Sequence, residues 1–145
     1  MYKRQADDPA RDPFNGITDI DAELAMMNVV GPQIFTFSAF NIGTLWSAKW
    51  TSGVVGRAVQ RSVCTLPNPF NVCSAYFPTN MSPAYSSLQA HEFGHNFDMI
   101  HDVPISGHIM ASKLTVAKTW STLSTSYLNN FVNFGFLVES GCLQK

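Results

Sequence analysis

Charge is scarce in this sequence. Only 13% of its 145 residues are Asp, Glu, Lys or Arg, and nine basic residues against ten acidic ones leave a net charge of −1. That near-neutrality gives no electrostatic basis for gripping a nucleic acid. Long apolar runs are also missing. The most apolar stretch, 29–40, is interrupted by Gly31-Pro32-Gln33 and falls short of a membrane span, so no membrane contact is expected of this segment. No secretory leader opens the chain, because Met1-Tyr2-Lys3-Arg4-Gln5 runs straight into acidic and proline residues. Cysteines number three, Cys64, Cys73 and Cys142, and an odd count cannot pair completely within one chain. Three reduced thiols in a cytosolic protein is one reading of that count. Hydrophobic residues, by contrast, reach 46% and aromatic ones 12%, enough for one globular core at this length.

No repeat and no linker divides the chain. Residues 1–16, polar and proline-containing, are expected to form a loose arm whose opening pentapeptide reads as foreign to the fold. Residues 17–145 form a single domain. Asp19 or Asp21 offers a cap for a short helix through Met27, with a solvated acidic loop as the competing reading. Alternation predicts a strand over 34–40, and a valine-rich run predicts another over 54–63. Pro67, Pro69 and Pro78 mark 65–81 as a long loop. Ser82-Pro83 then supplies an N-cap and a first-turn proline, and 84–97 reads as a helix. A final helix is expected from about Ser124 to Phe134. The fold class is therefore α+β, a small mixed sheet packed against two or three helices.

The chemistry concentrates in His91-Glu92-Phe93-Gly94-His95-Asn96-Phe97-Asp98-Met99-Ile100-His101-Asp102. On a helix, His91 and His95 are four apart on one face, so both imidazoles reach one ion. Glu92 is positioned to meet a metal-bound water rather than the metal. His101 lies too far on for the same helical face, so the chain must turn after His95 to return it. Three protein ligands leave a fourth tetrahedral position open, the catalytic pattern for Zn2+ rather than the closed structural one. A bare HExxH arises by chance in roughly one such sequence in several hundred, and the added histidine makes coincidence rarer. Surface histidines on an amphipathic helix are the competing reading. Glu139 is the one downstream glutamate that could replace His101, in a segment with no other metal-site features. His108 reads as a surface residue of a turn. Met110, in Gly107-His108-Ile109-Met110-Ala111, lies nine residues after the third histidine, where a turn could floor the site.

HExxHxxxxxHD followed by an Ile-Met-Ala turn resembles the metzincins, and the aspartate after the third histidine resembles their adamalysin/reprolysin (ADAM-type) branch. Residues 55–58 through Cys64 resemble that family's edge strand. Trp120-Ser121-Thr122-Leu123-Ser124 with 127–131 resembles the start of its last helix, and Gly141-Cys142-Leu143 its terminal Cys-Leu. The likeness covers roughly the last ninety residues and is weak over the first forty. It implies a metalloendopeptidase catalytic domain, incomplete at its N-terminus, from an extracellular or secretory-pathway protein. It also implies a Cys64–Cys142 disulfide, worth roughly 4 kcal/mol in the chain-entropy model. Cys73 is then left free or paired outside the chain. The substrate would be a polypeptide extended beside Val55 and Gly56, its side chain received by residues from Ala111 to Leu114. Zinc would acidify its water to about 7, and Glu92 would take the proton and hand it to the leaving amine.

Two departures from the family stand out. Asp98 occupies a position where the family usually has glycine, at a turn expected to need left-handed backbone, a cost of roughly 1 kcal/mol for a non-glycine residue. Leu123 stands where the family commonly has a cysteine, and no cysteine follows Asp102, so both ends of one bridge are missing together. Asp102 has no ligand role in this reading and is expected to anchor the turn below the site. Two rival functions stay open: a zinc-binding module without activity that recognises proteins, and a zinc hydrolase acting on something other than peptides.

Overall fold

The computed structural model describes residues 9–35, 41–48, 50, 52–65, 69–75 and 82–133. It is α+β, with helices α1 (Ile20–Ile34), α2 (Ser82–Asn96) and α3 (Thr122–Asn133) and strands β1 (Gly43–Ser47), β2 (Gly56–Ala58) and β3 (Phe70–Ser74). The sheet is mixed, in the order β1-β3-β2, with β1 parallel and β2 antiparallel to the central strand. Ahead of these, Pro9–Arg11 forms one 3-10 turn, and Phe14 packs against the core.

The central strand explains the layering. Four of its five residues are buried, and their partners alternate with the two-residue period of a strand. Phe70 and Val72 join Ile20, Leu24 and Met27 of α1 in one apolar cluster. Asn71 faces the other way, donating from Nδ2 to Asn96 Oδ1 of α2 at 2.8 Å. A strand covered on both faces buries a continuous run and shows no amphipathic alternation. That is why the sequence reading of 65–81 as one long loop fails: β3 lies inside it. Pro69 is no obstacle, since it precedes the strand and contributes only its carbonyl, which accepts from Gly43 N at 2.8 Å.

Two further expectations need correction. The strand predicted over 34–40 does not begin at Ile34, which ends α1; residues 36–40 lie outside the described residues. The helix runs through Gly31-Pro32 because proline here removes a single amide donor near the last turn. Gly31 also lets the helix approach the sheet, since a Cβ there would collide with the Phe70 ring. The strand predicted over 54–63 shrinks to Gly56–Ala58. Beyond it the chain turns through Arg61, whose φ of 55° is left-handed, and Val63 packs with Phe131 of α3 instead of extending the sheet. At the start of α1 the choice between caps is resolved. Asp19 Oδ1 accepts from Ala22 N at 2.9 Å, and the helix continues well past Met27.

Candidate metal centre and cleft

Helix α2 opens at Ser82-Pro83 and carries Leu88, His91, Glu92 and His95 on one face, the i, i+3, i+4, i+7 stripe. It ends at Asn96, one residue after His95. Asp98 adopts φ 72°, Asp98 N donates to His95 O at 2.9 Å, and Met99 N donates to Gly94 O at 2.9 Å. This pair of bonds is a Schellman motif with aspartate in the usual glycine place. The segment 61–63 adds further donors to the helix end: Arg61 N also donates to His95 O, and Ser62 N and Val63 N donate to Asn96 O. Asp98 itself faces Arg61 Nη1 at 3.4 Å. The left-handed residue reverses the chain and returns His101 toward the helix.

The three imidazoles converge. His101 Nε2 lies 3.1 Å from His91 Nε2 and 3.1 Å from His95 Nε2. The opposite nitrogens are tied to carbonyls, His91 Nδ1 to Ile109 O at 2.7 Å and His95 Nδ1 to Met99 O at 2.9 Å. A carbonyl only accepts, so both Nδ1 atoms carry the proton and both Nε2 atoms present bare lone pairs. His101 has at most one Nε2 proton to divide between them. A cation satisfies all three, and a tetrahedral zinc at about 2.0–2.1 Å holds its nitrogens roughly 3.3 Å apart. Burial lowers the pKa of each ring, that of His95 to about 4, which keeps them neutral and able to ligate near neutrality. Among the described residues these three form the one His, Cys, Asp or Glu group that could hold a metal. His108 sits apart from it, in the turn, and Glu139 lies outside the described residues.

The floor of the site is the Met110 turn. Met110 is fully buried, and its sulfur lies so close under α2 that a Cβ at Gly94 would collide with it. The same turn supplies the Ile109 carbonyl to His91. Asp102, expected to anchor this region, does so. Its N–H donates to Met110 O at 2.7 Å, and Oδ1 accepts from Ser121 Oγ at 2.7 Å. Ser121 in turn caps α3, accepting from Ser124 N at 3.0 Å. One aspartate therefore ties the third-histidine loop, the methionine turn and the last helix together.

Glu92 is buried, with Oε2 lacking any hydrogen-bond partner. Burial pushes its carboxyl up to about 8, with Arg57 pulling weakly the other way. The carboxylate lies against β2, and a Cβ at Gly56 would collide with it. Glycine at 56 therefore lets a strand edge run alongside the acid. These groups open on a cleft of about 670 Å³, lined on one side by 53–58 and on the other by 111–114, with Leu88 and the histidines between them. Val55, Gly56, Ala111 and Leu114 all border it.

Several supports had no sequence signal. The Ile109 and Met99 carbonyls are backbone groups that any residue supplies. Asn96 donates to Val59 O at 2.9 Å and to Ser62 Oγ at 2.8 Å, locking the helix end to the turn after β2. Among the polar neighbours His95 and Asp98, nothing in the sequence marks Asn96 as buried. Arg57 and Asp21 form a two-bond ion pair at 2.6 and 3.1 Å that joins β2 to α1, across 36 positions of sequence. Cys64 is disulfide-bonded, and Cys73 is free and buried in β3. Cys142, the partner that resemblance implies for Cys64, lies outside the described residues. Comparison of the sequence with protein-family models and with curated proteins finds no match in either.

Proposed function

We propose that this chain is a zinc-dependent endopeptidase of metzincin type, similar to the adamalysin/reprolysin branch, whose substrate is a polypeptide. The observation that carries this reading is the meeting, in one cleft, of three converging imidazole nitrogens, a buried carboxyl with an unused oxygen, and a strand, β2, at the sheet edge among the described residues. His91, His95 and His101 would hold the zinc. When bound, zinc polarises a carbonyl and brings the pKa of its water to about 7.

The chain's own groups have separate tasks. The Ile109 and Met99 carbonyls fix the ligand tautomers and ring orientations. A cation held by the three histidines would favour the ionised form of Glu92, which then takes a proton from the attacking water and returns it to the amine nitrogen as the peptide C–N bond breaks. β2 is an edge strand of three residues whose outer side borders the cleft, so an extended peptide can add its backbone hydrogen bonds there. The 111–114 wall receives a side chain. A disulfide at Cys64 supports an oxidising compartment, hence the secretory pathway or outside the cell.

The test is cleavage of a mixed peptide library by the oxidised, zinc-loaded chain and by Glu92→Ala. Cleavage that chelator and Glu92→Ala both abolish supports the reading. Zinc bound without cleavage would instead make the domain a zinc-containing binding module.

A further inference from the structure

The charge of the cleft differs from that of the chain. The whole sequence carries one more acidic than basic residue, yet the cleft lining holds two cations, Arg57 and Lys113, against one carboxylate. That carboxylate is Glu92, which is buried against Gly56 rather than exposed at the rim. Arg57 is already engaged by Asp21 through two bonds. Lys113 is exposed and, among the described residues, no carboxylate pairs with it.

Its backbone is held from both sides. Ala111 bridges to Asp102, and Ser87 Oγ of α2 donates to Thr115 O at 2.6 Å. The segment between those anchors carries Lys113 on the wall opposite β2, next to the apolar side chain of Leu114. A fixed base with a mobile ammonium suits a carboxylate whose position along an extended peptide varies by an ångström or two.

We propose that Lys113 makes the cleft selective for peptide segments bearing Asp or Glu beside an apolar residue, the apolar side chain packing on Leu88 and Leu114 and the carboxylate pairing with the ammonium. This inference rests on the peptidase reading for its cleavage consequences but not for binding. Electrostatic focusing by the low-dielectric cleft walls adds to the pairing and weakens with salt.

The experiment uses three peptides of one length sharing an apolar centre, flanked by Glu, Gln or Lys. Their affinity for the zinc-loaded chain is read by fluorescence anisotropy at low and high salt, alongside their cleavage. The Glu peptide is expected to bind up to about fivefold more tightly than the Gln peptide at low salt, the scale of an exposed ion pair. Lys113→Gln should erase that ratio, Lys113→Arg should keep it, and Lys113→Glu should invert it in favour of the Lys peptide. Equal affinity for the Glu and Gln peptides, or a ratio that survives Lys113→Gln, overturns the proposal. Cleavage without acidic preference overturns this inference alone. Acidic preference without cleavage supports it while the peptidase reading fails, and no binding of any peptide overturns both.

Discussion

Two carboxylates are buried on opposite sides of the sheet, Glu23 in α1 at 1% exposure and Glu92 in α2 at 3%. Glu23 accepts from Ser47 Oγ at 2.9 Å and from Trp50 Nε1 at 2.6 Å, so both of its oxygens are used. Glu92 has an oxygen with no partner, and glycine rather than a hydrogen-bonding side chain lies against it. Burying an acid is costly unless its oxygens are met. The α1 side meets that cost locally and gains a cross-link between helix, β1 and the segment after it. The α2 side leaves it unmet, in the same cleft as two imidazole lone pairs that share at most one proton from His101. A fold tolerates such a site when a ligand completes it, which is the ground for placing the proposed chemistry on the α2 side.

The contrast can be broken in several ways. Glu92→Ala should have the largest effect, lowering cleavage by about 10²–10⁴-fold with zinc content unchanged, measured by peptide turnover and metal analysis. Glu23→Ala should do the reverse. It strands the Ser47 hydroxyl and the Trp50 indole, should cost about 3 kcal/mol in urea unfolding, and should leave zinc stoichiometry intact. Gly56→Ala presses on the far end of Glu92, which can swing away. It should therefore lower turnover by about tenfold or more while costing only about 1 kcal/mol of stability.

The zinc-free chain should also show a pH signature. The folded Glu92 carboxyl titrates at about 8 against an ordinary 4.5, so folded protein keeps a proton that unfolded protein has released. Its contribution is complete below about 4.5 and is lost as pH rises toward 8. His95 runs the other way. Its pKa falls from 6.5 to about 4, so its contribution is present above 6.5 and is lost as pH drops toward 4. Glu92→Gln should remove the alkaline loss, so the variant's stability advantage in urea should grow between about pH 5.5 and pH 8.5. An advantage that does not change with pH would contradict a protonated, buried Glu92. The smallest effect is expected of Asp98→Gly. It should relieve left-handed strain and stabilise the chain by at most about 1 kcal/mol, because the Arg61 and Gln60 contacts it sacrifices are long, at 3.4 and 3.5 Å.

Legibility in the sequence follows the range of the interactions. The three histidines, the reversal at Asp98, the floor at Met110 and the anchor at Asp102 lie within about twenty residues, and their geometry is set by helix period and chain reversal. The sheet was harder to read. β3 is covered on both faces and follows Pro67 and Pro69, so neither alternation nor composition revealed it. β1 begins at a glycine and has only five residues, and its strand character comes from pairing with β3. The valine run at 54–63 misled in the opposite direction. Its second half is drawn away from the sheet by the unmet carbonyls at the end of α2, which Arg61, Ser62 and Val63 satisfy. Glu23 was hidden because an acidic residue in a capped helix reads as solvent-facing until Ser47 and Trp50 are known to cover it.

The most direct test of the metal centre is zinc K-edge absorption on the purified, oxidised chain with its zinc content measured in the same sample. One zinc per chain is expected, held by three imidazoles at about 2.0–2.1 Å with oxygen completing the shell. A closed shell of four protein nitrogen or sulfur ligands, or a chain that binds no zinc, would contradict it.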